Sequence, residues 1–223
     1  RDRFHHLRAE TARRGALRGG AAMTARENPF AAGRLAERLP FEPAWLGLDW
    51  DRVFRRGEEA AWRVAVCGPH GTGKTTFLDA LTPRLEAAGY RVLRRLINDA
   101  KPALDSGDWE EIRAFEAPGV VTIDGSERLG SWTLGRLARA AKGRFGLILT
   151  RHRTRGPLPV LLETKSDAVM LAAFLERLAP QAPWDPRFVE SLLARHGGNL
   201  REALWECYDR HAALKAPTSR PFP

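Results

Sequence analysis

Five short apolar runs recur between residues 62 and 164, at 64–67, 92–97, 120–123, 145–149 and 160–162. Each is too short for a helix, and segments of helical period separate most of them. Runs of this length alternating with amphipathic segments predict a parallel sheet with crossover helices. The helical segments are one opening at Gly73, one near 109–115 and one near 134–141. In the first, Phe77, Leu81 and Leu85 fall four residues apart, which lays them along one buried stripe. Pro83 lies in that same helix, has no N–H to donate, and is expected to kink or split it.

Beyond Glu163 the strand pattern stops and three helices are expected. Leu171, Phe174, Leu175 and Leu178 make one apolar face. Asp185-Pro186 supplies a cap and a first-turn proline ahead of Phe188, Val189, Leu192 and Leu193. Asn199 with Glu202 three residues later has the spacing of a capping box, opening a helix with Leu200, Leu204 and Tyr208 on one side. On the other flank, Pro40, Pro43, Trp45 and Trp50 punctuate an irregular arm, with a helix near 50–57. The expected organisation is therefore an α/β core of five parallel strands flanked by helices, followed by a small all-helical lid. The boundaries are a disordered or non-native leader (1–22), an arm packing on the core (23–60), the core (61–164), the lid (165–215) and a frayed tail (216–223). The leader rests on three glycines, weak apolar periodicity and the position of the first methionine, Met23.

Composition narrows the function classes. At 223 residues and 43% apolar, the chain can bury a real core. Nothing approaches the roughly 18 uninterrupted apolar residues of a membrane span, and the Arg-rich beginning lacks the apolar segment of a secretory signal. Cys67 and Cys207 stand too far apart for a metal or redox spacing, and Cys67, ending an apolar strand, reads as a small buried residue; a cytoplasmic, reduced protein is expected. Residues 1–22 hold +4 of the formal +9 charge, which leaves a thin excess over the rest. That balance admits a nucleic-acid partner without requiring one.

The chemistry concentrates after the first strand. Gly68-Pro69-His70-Gly71-Thr72-Gly73-Lys74-Thr75 fits G-x-x-x-x-G-K-[ST] in full, with Thr76 following. Glycines let the backbone turn its N–H groups into one concavity, Lys74 offers a point charge to the β- and γ-phosphates, and the Thr75 hydroxyl suits magnesium. The loop sits between an apolar strand and an apolar-faced helix, the context such a loop requires. His70 reads as an exposed loop position. The third strand ends in Asp124, 50 residues after Lys74, a second expected magnesium ligand. Position 125, where many ATPases place a water-polarising glutamate, is glycine, and Glu127 is the nearest candidate base, with Asp99 behind it. Thr150 ends the fourth strand and is the candidate sensor of the γ-phosphate, followed by a basic run of Arg151, Arg153 and Arg155. Arg201, in the first turn of the last helix, is poorly placed against the helix dipole and is the candidate lid arginine for the same phosphate.

These marks in this order resemble the AAA+ branch of phosphate-loop ATPases. Gly68 to Thr75 looks like Walker A, residues 120–124 like the Walker B strand, Thr150 like sensor 1 and Gly198-Asn199-Leu200-Arg201 like the sensor 2 motif. The resemblance implies a five-stranded parallel sheet with a helical lid, ATP with Mg2+, and conformational work driven by hydrolysis, often in rings. Three features depart from it: Gly125, the short gap between Thr150 and Val160 where a helix usually presents a trans arginine finger, and the compactness of the module. Asp124-Gly125-Ser126-Glu127 also looks like the signal-transducing NACHT-type switch ATPases. The arm residues Glu27-Asn28-Pro29-Phe30 are similar to an arm of ATPases assisting secretion or transposition. Three readings follow: a regulatory or remodelling ATPase acting on an unidentified protein partner and compatible with a homo-oligomer, a nucleotide-gated switch with little turnover, and a DNA-handling accessory ATPase. A small-molecule kinase is disfavoured, because residues 98–118 are short for an acceptor-binding insertion.

Overall fold

The five apolar runs form five parallel strands: β1 (Arg63–Cys67), β2 (Arg91–Leu96), β3 (Gly119–Asp124), β4 (Gly146–Arg151) and β5 (Val160–Glu163). The structure is a computed structural model that describes residues 28–214. The expected leader and tail, with Met23 and Glu27, lie outside the described residues. Strand order across the sheet is β2-β3-β4-β1-β5. The central strands β3 and β4 are buried along their whole length, which is why they read as unbroken apolar runs.

Successive side chains leave a strand on opposite faces, and the core divides accordingly. On one face Val64, Val66, Val120 and Ile148 pack beneath Phe77, Leu78, Leu81 and Leu85 of α3 (Lys74–Ala87). On the other, Val121, Ile123, Leu147 and Leu149 meet Trp109 and Ile112 of α4 (Ser106–Ala114) and Leu137 of α5 (Ser131–Ala141). Edge strand β2 shows the same alternation with charges. Arg94 reaches Asp79 on α3 at 2.6 Å, while Arg95 reaches Asp108 on α4 at 2.6 Å. Asp108 also closes a capping box with Asp105 at the start of α4.

Pro83 does not split α3, which runs unbroken from Lys74 to Ala87. The proline costs one backbone hydrogen bond on the exposed side of the helix. Four fully buried side chains, Phe77, Leu78, Leu81 and Leu85, hold the opposite side down on the sheet.

The segment expected to be one arm packing on the core divides after Pro40. Residues 41–165 are one unit. In it Phe41 and Trp50 pack on Phe77, Trp50 stacking at 5.9 Å, so α2 (Trp50–Glu59) belongs to the sheet domain. Residues 28–40 belong instead with 166–214, the helical unit. There the Asn28 amide donates to Tyr208 O, Arg38 donates to Leu178 O, and Phe30 packs edge-on against Trp184. The aromatic residues that marked an arm thus serve two different cores. The helical unit comprises α1 (Ala32–Arg38), α6 (Ala168–Leu178), α7 (Pro186–Arg195) and α8 (Leu200–Leu214). Asp185 Oδ1 accepts from Arg187 N–H as expected, whereas the Asn199 capping box is half formed: Asn199 Oδ1 accepts from Glu202 N–H, but Asn199 N–H donates to His196 O.

Candidate nucleotide site

Because the strands are parallel, the carboxyl ends of β1, β3 and β4 fall along one edge of the sheet. Val66 registers with Thr150 and Ile123 with Leu149, which sets Asp124 beside Thr150 and one strand from the loop that follows Cys67. Sites in open α/β sheets form along this edge.

The loop itself is wound tightly. Gly68 has φ 149°, and a Cβ there would overlap the Thr164 hydroxyl and carbonyl at the end of β5. Gly71 and Gly73 also have positive φ, and Gly73 is the N-cap of α3. The first helical bond across the cap is donated by Phe77 to Gly73 O at 2.8 Å. Backbone N–H groups ahead of it point out of the helix start, where an anion is favoured. The Lys74 ammonium is buried and donates to Gly68 O at 2.6 Å and Pro69 O at 2.7 Å, so its charge lies inside the loop. Thr75 is half-buried in the first turn, and Thr76 is exposed. A glycine-walled loop enclosing a cation at a helix start fits a polyphosphate.

Asp124 is buried, and the Thr150 hydroxyl donates to its Oδ1 at 3.2 Å while accepting from Gly125 N–H at 2.7 Å. Ser126 Oγ donates in turn to Thr150 O at 2.6 Å. Thr150 is completely buried, and its hydroxyl orients Asp124 from behind; its contacts are with β3, not with open space. The Asp124 carboxylate and the Thr75 hydroxyl, at the same edge of the sheet with β4 between their strands, are oxygen donors of the kind that fits magnesium.

Gly125 has φ +80°, and a Cβ there would overlap Ile97 O. The backbone therefore excludes a glutamate at this position. Glu127 stands on the short 3-10 turn Ser126–Arg128, with its side chain 19% exposed and its Oε1 3.0 Å from His152 Nε2. The His152 ring lies 4.2 Å from the ring of His70 in the phosphate loop, so Glu127 comes to the lip of that loop. Burial pulls His152 below its ordinary pKa; the Glu127 carboxylate works against this, and Lys74, His70 and Arg128 add to the lowering.

The remaining candidates are distributed differently. Asp99 is exposed and paired with Arg128 at 2.7 Å, away from the loop's residues. Arg151 does not extend a basic tip: it is buried, and its guanidinium donates to Thr154 O at 3.2 Å and Leu158 O at 3.1 Å. Arg153 and Arg155 are exposed. Arg201 is exposed in the first turn of α8, in the helical unit, whereas the loop and strand tips belong to the sheet unit. Burial pushes both thiols up, Cys207 to about 11. Sequence reasoning missed Thr164. Its hydroxyl lies 2.7 Å from that of Thr72 in the loop and donates to Cys67 O at 3.1 Å. The available signal was the same one that marked Thr150, a hydroxyl ending an apolar strand.

No protein-family profile matches the chain. Ribose 1,5-bisphosphate phosphokinase PhnN of Pseudomonas fluorescens is 30% identical over 161 residues, covering 61% of this chain and 83% of that protein. The chain belongs to the phosphate-loop nucleotide-binding family in which this relative stands. Among solved structures, Orc1 of Aeropyrum pernix in complex with DNA superposes with TM-score 0.53 at 19% identity, over 82% of this chain and 64% of Orc1. RuvB of Thermotoga maritima gives 0.54 at 18% identity, over 80% and 68%. DnaA of Aquifex aeolicus with AMPPCP bound gives 0.50 at 17%, over 78% and 63%. The fold is that of the AAA+ ATPases. The chain spans just under two thirds of the Orc1 and DnaA chains. Among the described residues no helix is long and apolar enough to cross a membrane.

Proposed function

We propose that the chain binds ATP with Mg2+ in the 68–75 loop and hydrolyses it to drive a regulatory or remodelling movement. The observation that carries hydrolysis is the position of Glu127, whose carboxylate reaches the loop's lip beside His152 and His70. In this reading Lys74 and the loop N–H groups hold the β- and γ-phosphates. Thr75 and Asp124 would hold magnesium, which supplies charge neutralisation on the phosphate oxygens. Glu127 takes the proton of a water that attacks the γ-phosphorus as the bond to the β-phosphate oxygen breaks and ADP leaves. Thr150 keeps Asp124 in place. The work is done on a protein partner or a second copy. The Orc1 structure, solved with DNA, adds nucleic acid as a candidate.

Two observations favour a nucleotide-gated switch with little turnover: Gly125 cannot accept the usual glutamate, and Glu127 Oε1 lies against His152 Nε2 at 3.0 Å. ADP formation from Mg·ATP, with inorganic phosphate measured in parallel, decides between them, followed with and without ribose 1,5-bisphosphate and beside Lys74→Ala and Glu127→Gln. Hydrolysis predicts acceptor-independent turnover, abolished in Lys74→Ala and lowered about 10²–10⁴-fold in Glu127→Gln with ATP binding retained. Tight binding without turnover selects the switch. Turnover that appears only with the sugar phosphate would make the chain a kinase like its relative.

A further inference from the structure

The nucleotide reading uses Glu127 but leaves the two histidines beside it without a task. His70, Glu127 and His152 come from three separate segments: the phosphate loop, the turn after β3 and the loop after β4. Their donor atoms nevertheless all lie within 4.8 Å of one another. His152 Nε2 and Glu127 Oε1 approach to 3.0 Å, yet His152 Nε2 and Glu127 Oε2 are buried atoms with no hydrogen-bond partner among the described residues. A hydrogen-bonded His–Glu pair would align a donor with an acceptor. Here no such bond is made, and the three donor atoms gather within 4.8 Å of one another.

We propose that His70, Glu127 and His152 form a binding site for a borderline transition-metal cation, Zn2+ being the type. Two imidazoles and one carboxylate are a three-ligand set that zinc uses when its fourth position stays open to water or substrate. Tetrahedral bonds of about 2.0–2.1 Å put ligand atoms roughly 3.4 Å apart. His70, exposed and edge-on to His152 at 4.2 Å, is the member whose side chain would shift to reach that spacing. Magnesium, which prefers oxygen donors, is not expected here. A cation in this cluster takes the Glu127 carboxylate for itself, so the metal-loaded site and Glu127 acting as a base exclude each other. The binding claim does not rest on hydrolysis.

The test is Zn2+ binding by the full chain without nucleotide, by competition with a chromophoric chelator in excess Mg2+, and the visible spectrum of the Co2+-loaded protein. One Zn2+ per chain is expected, with a four-coordinate Co2+ spectrum. His70→Ala and His152→Ala should each weaken binding by more than about tenfold. His196→Ala, in the helical unit and paired with Glu206, should not. His70 is exposed, so its variant is expected to fold, and matched thermal melts will show it. Absence of Zn2+ binding by the wild-type chain overturns the proposal. So does equal binding by the His70→Ala, His152→Ala double variant, which would assign the metal to other histidines such as His5 and His6.

Discussion

Replacing Thr150 by valine separates two roles for its hydroxyl. The substitution keeps the shape and removes one oxygen from a completely buried position. That oxygen serves two partners, donating to Asp124 Oδ1 at 3.2 Å and accepting from Gly125 N–H at 2.7 Å. A hydrogen bond to a charged group contributes about 1.5–3 kcal/mol, and an orphaned buried N–H costs about 1–3 kcal/mol. The two share one atom and do not simply add, so a loss of about 2–4 kcal/mol is expected for the sheet unit. At this chain length it lowers Tm by roughly 5–15 °C. Thr150→Ser retains the oxygen and gives up one methyl, about 1 kcal/mol. Thermal melts of the three proteins, with ATP affinity measured with and without Mg2+, give the answer. The valine variant should melt lowest and lose Mg2+-dependent affinity, because Asp124 is no longer held. A valine variant that melts within about 0.5 kcal/mol of wild type while losing ATP-over-ADP discrimination would refute this reasoning and restore Thr150 as a direct phosphate sensor.

Two further outcomes follow from local geometry. Gly125→Glu should destabilise the chain by about 3 kcal/mol or more and bring no gain in turnover, since φ +80° and Ile97 O leave no place for a side chain; a stable variant with faster phosphate release would contradict this. In the helical unit, burial alone would raise the Glu206 pKa, but hydrogen bonds from His196, Arg195 and Arg210 bring it below the ordinary glutamate value. A lowered carboxylate stabilises the fold above its unfolded pKa and loses that contribution as pH falls through the folded one. Glu206→Gln should therefore be about 1 kcal/mol less stable near neutral pH and match wild type in acid, as urea unfolding across that range will show.

The sheet was legible because its central strands are buried on both faces and carry no alternation to confuse. The phosphate loop was legible because its residues are contiguous. What escaped depends on contacts between distant segments. The aromatic residues near Phe30 and Trp50 announced packing, but not that they serve two cores. Pro83 looked disruptive because a sequence shows the missing N–H and the buried stripe but not that the proline falls on the exposed side of the helix, where the stripe outweighs it. Gly125 could be read as a missing glutamate, whereas its positive φ against Ile97 O is a property of the backbone. Arg151 looked like a surface cation, and only the turn that follows it, with the carbonyls of Thr154 and Leu158, shows where the guanidinium goes.

The hydroxyl contact between Thr72 and Thr164 has a mechanical meaning. Thr72 sits in the loop that must adjust when phosphates enter or leave, and Thr164 is two residues from Ser166, where the helical unit begins. Any displacement of Thr72 either stretches that 2.7 Å bond or pulls on the end of β5. Thr164 is fastened further by its N–H to Cys67 O at 2.7 Å, so the strand end and the root of the loop move as a piece. One residue, Lys165, stands between Thr164 and Ser166. On the proposed nucleotide reading, a movement of the phosphate loop reaches Thr164 through one hydroxyl contact, two residues before Ser166.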